Sequence, residues 1–182
     1  MINDIVFFNY LMELINAAKI KGESVDKKFS FNYNNEGFSI GSARYLLSQT
    51  LRQLIIDEAH WHISANAKAL LESKEIDTSY SFLLPYTINA NKTLKSMHSK
   101  FNDVFMVEHV VPINCIMDEL IEEKDLSYDK IANKLLQIHV CIITKDEDQA
   151  LRDNGYSRKR EGDFVYIINQ GAYKKSGIIL AE

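Results

Sequence analysis

Apolar residues recur over residues 4–21 at Ile5, Phe8, Leu11, Met12, Ile15 and Ala18, the spacing of one helical face, and Gly22 closes the stretch. The period then drops to two. Phe29, Phe31 and Tyr33 alternate with Ser30 and Asn32, which predicts a short strand, and residues 34–37 read as a turn before Phe38. Helical spacing returns at Ala43, Leu46, Leu47, Leu51, Leu54, Ile55 and Ala59, with Ser42 as N-cap, so a long helix is expected to continue toward His62.

Ser64 precedes a short helical stretch over 65–71, residues 82–85 mark a break, and 91–101 fit another helix. The apolar run 104–107 feeds into Glu108-His109. Pro112 suits the first turn of a helix through Leu120, because its missing amide hydrogen costs nothing there. Ser127 can cap a helix through Ile138, and 140–143 form a short buried strand. Thr144 and Glu147 have the spacing of a capping box, and the helix they open should stop at Asn154-Gly155. Residues 164–168 read as one more strand, and 177–180 as a segment that pairs at the end. This mixture predicts an α+β fold, several helices packed on a small mixed sheet in a single domain over residues 1–182.

Composition narrows the class. Hydrophobic residues make up 46% and charged residues 25% of the 182, ordinary globular usage. Cys115 and Cys141 both sit in apolar runs and form no Cys-x-x-Cys pair, so they read as reduced core thiols rather than zinc or redox ligands. No apolar run approaches the roughly 20 residues of a membrane span. Asp4 stands where a secretory leader carries lysines, so a cytoplasmic protein without a membrane partner is expected. The formal charge is −4, but it is unevenly spread. Residues 118–148 hold nine acids and four bases, whereas 152–175 hold six bases and three acids.

Gly-rich phosphate loops, Gly-x-Ser-x-Gly elbows and Cys-His nucleophile arrangements are missing, which removes most NTPases, dinucleotide enzymes and α/β-hydrolases. The candidate chemistry lies in histidines with acidic neighbours. Glu58 and His62 share a face if the long helix continues. In extended chain, His60 and His62 instead lie on one side, the geometry of a metal-ligand pair, with Trp61 as a core anchor. His98 reads as solvated, and His139 as a hydrogen-bonded structural residue at a strand start. Glu108-His109-Val110-Val111-Pro112 places an acid and an imidazole at a strand end, where a carboxylate can orient a histidine, raise its pKa or share a metal with it.

That segment is similar to the Asp/Glu-His-Ile/Val-x-Pro strand of the His-Asn-His nucleases, the ββα-metal class. The resemblance implies that His109 activates water for attack on a phosphodiester and that Glu108 positions a divalent metal ion. A wider likeness runs through residues 59–64, 108–112, 143–148 and 173–178 and resembles a set of small bacterial proteins, which points to His60, Glu108 and His109. The chain also resembles phage or mobile-element accessory proteins, including anti-CRISPR inhibitors of the RNA-guided nuclease Cas9.

The segment 156–160 and Lys174-Lys175 mix bases with tyrosines, so Arg152, Arg158, Lys159, Arg160, Lys174 and Lys175 are candidate nucleic-acid contacts. Two readings follow. In the first, the chain is a nucleic-acid-directed protein of phage or mobile-element type, a diverged nuclease or a factor promoting RNA or DNA trimming. Glu108 and His109 would be its catalytic pair, with Glu58, His60 or His62 as a further acid–base group or metal ligand. In the second, a non-catalytic inhibitor of a host nuclease such as Cas9 presents the acidic 118–148 face as a phosphate mimic.

Overall fold

Spacing and capping place most elements where they form. A computed structural model describes residues 4–19, 29–33, 36–40, 43–54, 58–79 and 101–181. In chain order the elements are α1 (Asp4–Lys19), β1 (Phe29–Tyr33), β2 (Glu36–Ile40), α2 (Ala43–Arg52), a 3-10 turn (Glu58–His60), β3 (Trp61–Ile63) and α3 (Ala65–Glu72). They continue with α4 (Phe101–Val104), β4 (Phe105–His109), α5 (Ile113–Glu122), α6 (Tyr128–Leu135), β5 (Val140–Thr144), α7 (Lys145–Asp153), α8 (Phe164–Asn169) and α9 (Ala172–Lys175). The fold is α+β, with helices on a small mixed sheet. Contacts group the chain into two units, Met1–Ile55 with Ile113–Leu136, and Ile56–Pro112 with Gln137–Glu182.

The first unit is mostly helical. α1, α2 and α5 pack on one another, and α6 follows against α5. Buried here are Leu11, Leu14, Ile15 and Ala18 of α1, Leu47 and Leu51 of α2, and Ile113, Ile116, Met117 and Leu120 of α5, whereas Ile5 at the start of the α1 stripe is 71% exposed. Each of the Leu, Ile and Met side chains contributes roughly 1.5–3 kcal/mol through burial. β1 and β2 pair antiparallel with Tyr33 opposite Glu36; of the turn expected over 34–37, residues 36 and 37 belong to β2 and 34–35 lie outside the described residues. Ion pairs Arg44–Asp118, Lys134–Glu119 and Lys130–Glu123 join the helices.

The second unit carries the three-stranded sheet, order β3-β5-β4, with β3 parallel and β4 antiparallel to the central β5. Val140, Cys141, Ile142 and Ile143 of β5 are fully buried, as a strand covered on both faces requires. One face packs Trp61, Phe105, Val140 and Ile142 on Ala67 and Leu71 of α3. Ser64 caps α3 by accepting from the Ala67 amide, and its own amide donates to Ile142. The chain end closes on this edge, where the Ala65 amide donates to Ile179 and the Ala181 amide to Ile63.

The capping box forms as expected: Thr144 accepts from the Glu147 amide, and the Glu147 carboxylate accepts from the Thr144 amide at 2.8 Å. Glu147 also accepts from the Ser64 hydroxyl at 2.6 Å and Asn66 Nδ2 at 3.1 Å, so one carboxylate ties α7 to α3. α7 ends at Asn154, with Gly155 at φ +80° and Tyr156 N donating back to Leu151 O. That is the left-handed ending expected of Asn-Gly.

Three expectations are corrected. The second helix stops at Arg52, and residues 58–63 form a turn and a strand because Trp61, His62 and Ile63 pair with Val140, Cys141 and Ile142. Residues 164–168 belong to a helix rather than a strand, since the Asp163 carboxylate accepts from the Tyr166 amide and starts α8. The helix capped by Ser127 ends at Leu135, short of Ile138. The expectations for Ser42, residues 82–85, residues 91–100 and His98 fall outside the described residues.

Thr144→Ala should cost about 1 kcal/mol, the loss of a cap. Glu147→Ala should cost roughly 2–3 kcal/mol by stripping charged hydrogen bonds from three donors. Urea unfolding of the two variants checks the order.

Candidate functional site

Side chains alternate across a strand, so β3 sends Trp61 and Ile63 to the α3 side and His62 to the other. His62 pairs in register with Cys141, and Glu108 pairs with Cys141 from β4. His62, Cys141 and Glu108 thus form one rung across the second face, with the outer two about 10 Å apart at ordinary strand spacing. His109 pairs with Val140 and lies on the opposite face, with Trp61. The expected Glu108–His109 pair therefore does not form as a unit, because adjacent strand residues point apart.

Glu108 is committed elsewhere. Its carboxylate accepts from Arg160 Nη2 at 2.6 Å. The same guanidinium donates through Nη1 to the carbonyls of His109 and Val110, at 3.0 and 2.9 Å, and through Nε to Tyr156 O at 3.0 Å. Its Cζ lies 5.7 Å from the centre of the Tyr173 ring. With its side chain 1% exposed, Arg160 is an internal latch and not the phosphate contact expected of it. Burial pushes the Glu108 carboxyl above its usual range, and Arg160 opposes that shift. Beside it, burial raises both the Cys141 thiol and the Tyr173 phenol, leaving an inert, protonated pair in the core.

At the other end of the rung three imidazoles meet. Nε2 of His62 and Nδ1 of His139 are 2.9 Å apart, an N–H···N bond between residues 77 positions apart in sequence. The ring of His60 lies 4.5 Å from that of His139. Phe164, the first residue of α8, stacks on both, 3.8 Å from His139 and 4.8 Å from His62. All three histidines are half-buried. Burial, then the neighbouring His60, holds His62 below its ordinary 6.5 and favours the neutral ring. Of the two arrangements open for residues 58–62, the extended one forms. His60 and His62 reach the same partner, and exposed Glu58 shares no helical face with His62.

His139 thus enters the site from a position that reads as purely structural in the sequence. Phe164 was hidden by the strand expectation. Their only local signals are an aromatic ring after a capping Asp163 and a histidine just before a buried strand. Among the described residues, no group of three or more His, Cys, Asp or Glu is arranged to hold a metal ion.

The remaining basic candidates are on the surface. Arg158, Lys159, Lys174 and Lys175 are exposed, while Arg152 pairs with Asp148 at 2.8 Å. The acidic stretch 118–148 does not act as one face of one unit: 118–136 belongs to the first unit and 137–148 to the second. Asp118, Glu119 and Glu123 are already ion-paired there, and Glu147 is buried. No helix among the described residues is long and apolar enough to cross a membrane. No family model, curated protein or solved structure matches the chain.

Arg160→Ala should lower unfolding stability by about 3–5 kcal/mol, because it leaves a buried carboxylate without its cation. Arg160→Lys should recover only part of this, since an ammonium cannot reproduce the planar fork. A neutral Arg160→Ala in chemical denaturation would contradict the latch.

Proposed function

We propose that this protein acts on nucleic acid, with the His60–His62–His139 cluster as the proton-transfer centre for phosphodiester cleavage. The direct His62–His139 bond carries the reading. Cleavage needs a base to take the proton of the attacking oxygen and an acid to protonate the departing one. A neutral His62 can accept a proton at neutral pH, and its bond to His139 gives that proton a route to a second imidazole. His60, beside His139, is a further donor or acceptor. Phe164 stacks on both rings of the pair and holds them in place. The exposed Arg158, Lys159, Lys174 and Lys175 of the same unit supply attraction for phosphates. Glu108 and His109 support the sheet in this reading and do not touch substrate.

A second reading, an inhibitor that offers acidic side chains to a basic groove of an RNA-guided nuclease, has exposed Glu122, Asp125 and Asp129 in its favour. Reversing those three charges should then weaken the complex and its salt dependence.

Incubation with labelled RNA and DNA, with and without divalent ions, tests the first reading. His62→Gln and His139→Gln should each reduce cleavage by about 100-fold or more. Undiminished cleavage in either would refute the assignment. The acid limb of the rate profile should have its midpoint below 6.5, because the base form of His62 is lost only as pH falls through a lowered pKa.

A further inference from the structure

Helical residues two positions apart project about 200° from each other, so α8 sends Phe164 and Tyr166 to nearly opposite sides. Phe164 goes to the imidazoles, and Tyr166 goes outward, 37% exposed. The Tyr166 ring rests on two glycines. A Cβ at Gly162 would come within 2.4 Å of its Cδ1, and one at Gly171 within 3.1 Å of Cδ1 and Cε1. Gly162 also holds φ +85°, a conformation that side chains disfavour. The ring is thereby fixed along one edge while the rest of it meets solvent.

Each glycine sits three residues from a pair of bases. Arg158 and Lys159 precede Gly162, and Lys174 and Lys175 follow Gly171; all four are exposed. The two segments meet again where Asn154 Nδ2 approaches Ser176 Oγ at 3.4 Å. Two exposed acids, Glu161 and Asp163, share the loop; Asp163 is tied down as the cap of α8 and Glu161 is the one open to charge reversal without loss of a cap. Of the other tyrosines among these bases, Tyr173 is fully buried and Tyr156 is half-buried, whereas Tyr166 is exposed.

We propose that Tyr166, flanked by Arg158, Lys159, Lys174 and Lys175, is a stacking platform for single-stranded nucleic acid. The inference rests on the nucleic-acid reading above and adds the substrate class to it. An unpaired base offers a π-face to the ring while its phosphates meet the cations. A duplex keeps its bases stacked on each other and offers only phosphates. The platform and the imidazoles lie on opposite sides of one helix, about 10 Å thick.

Fluorescence anisotropy with a short labelled single strand, and with the same sequence as duplex, tests this. A gel run on the same samples follows cleavage separately. The single strand should bind more tightly than the duplex. Tyr166→Phe should keep that affinity, and Tyr166→Leu, which preserves bulk over the glycines, should lose about tenfold. Glu161→Lys should tighten binding of both forms. Equal binding of single strand and duplex, or full affinity in Tyr166→Leu, would overturn the platform. So would an acidic polypeptide competing as well as the oligonucleotide. Single-strand binding without cleavage would refute the catalytic assignment and leave the platform standing, whereas loss of all binding would refute both.

Discussion

One buried guanidinium organises the second unit. Arg160 donates to three backbone carbonyls and one carboxylate, and it does so from a loop with no regular structure. The last residue of β4 and the residue after it are thereby fixed to the loop that leads into α8. Because α8 begins three residues later with its Asp163 cap, the position of Phe164 over the histidines depends on that anchor. A cation in so apolar a place is tolerable only with every strong donor engaged, and Glu108 supplies the countercharge. The acid expected to do chemistry is thus the one that holds the scaffold.

The central strand separates two kinds of packing. β5 puts Val140 and Ile142 against Trp61, Phe105 and α3, a layer that is apolar apart from His109 opposite Val140. Its other face carries Cys141 between His62 and Glu108, with Tyr173 and Arg160 around it. The titratable groups at its two ends are paired: the Glu108 carboxylate meets a guanidinium, and the His62 imidazole meets that of His139. The result is a rung with a closed, structural end at Glu108 and a half-open end at His62. The proposed chemistry is assigned to the second, where the groups are half-buried and burial favours the neutral form of one ring.

Local rules made much of the fold legible. Ser64, Ser127, Thr144 and Asn154-Gly155 each mark a helix end through contacts spanning only a few residues, and all form as the spacing predicts. The apolar spacing in α1 and α2 likewise marks buried residues, Leu11 and Ile15 in one and Leu47 and Leu51 in the other. What failed was set by distant partners or by competing local signals. Residues 58–63 keep a helical stripe, but pairing with β5 draws them into a turn and strand. The run Phe164-Val165-Tyr166-Ile167-Ile168 has strand composition, yet one capping carboxylate from Asp163 decides for helix. Arg160 looked like its exposed neighbours Arg158 and Lys159, since nothing in a basic loop tells which cation turns inward. The meeting of His62 with His139 had no sequence signal, because each partner lies in its own local pattern.

The central claim is that the His62–His139 hydrogen bond is a working site and not only a packing feature. Imidazole ¹⁵N shifts, measured by NMR with and without a short single-stranded oligonucleotide, address it directly. The account predicts that the free protein shows one protonated and one bare nitrogen across the bond, and that the oligonucleotide shifts both. Nitrogens that stay unchanged at saturating oligonucleotide would contradict it.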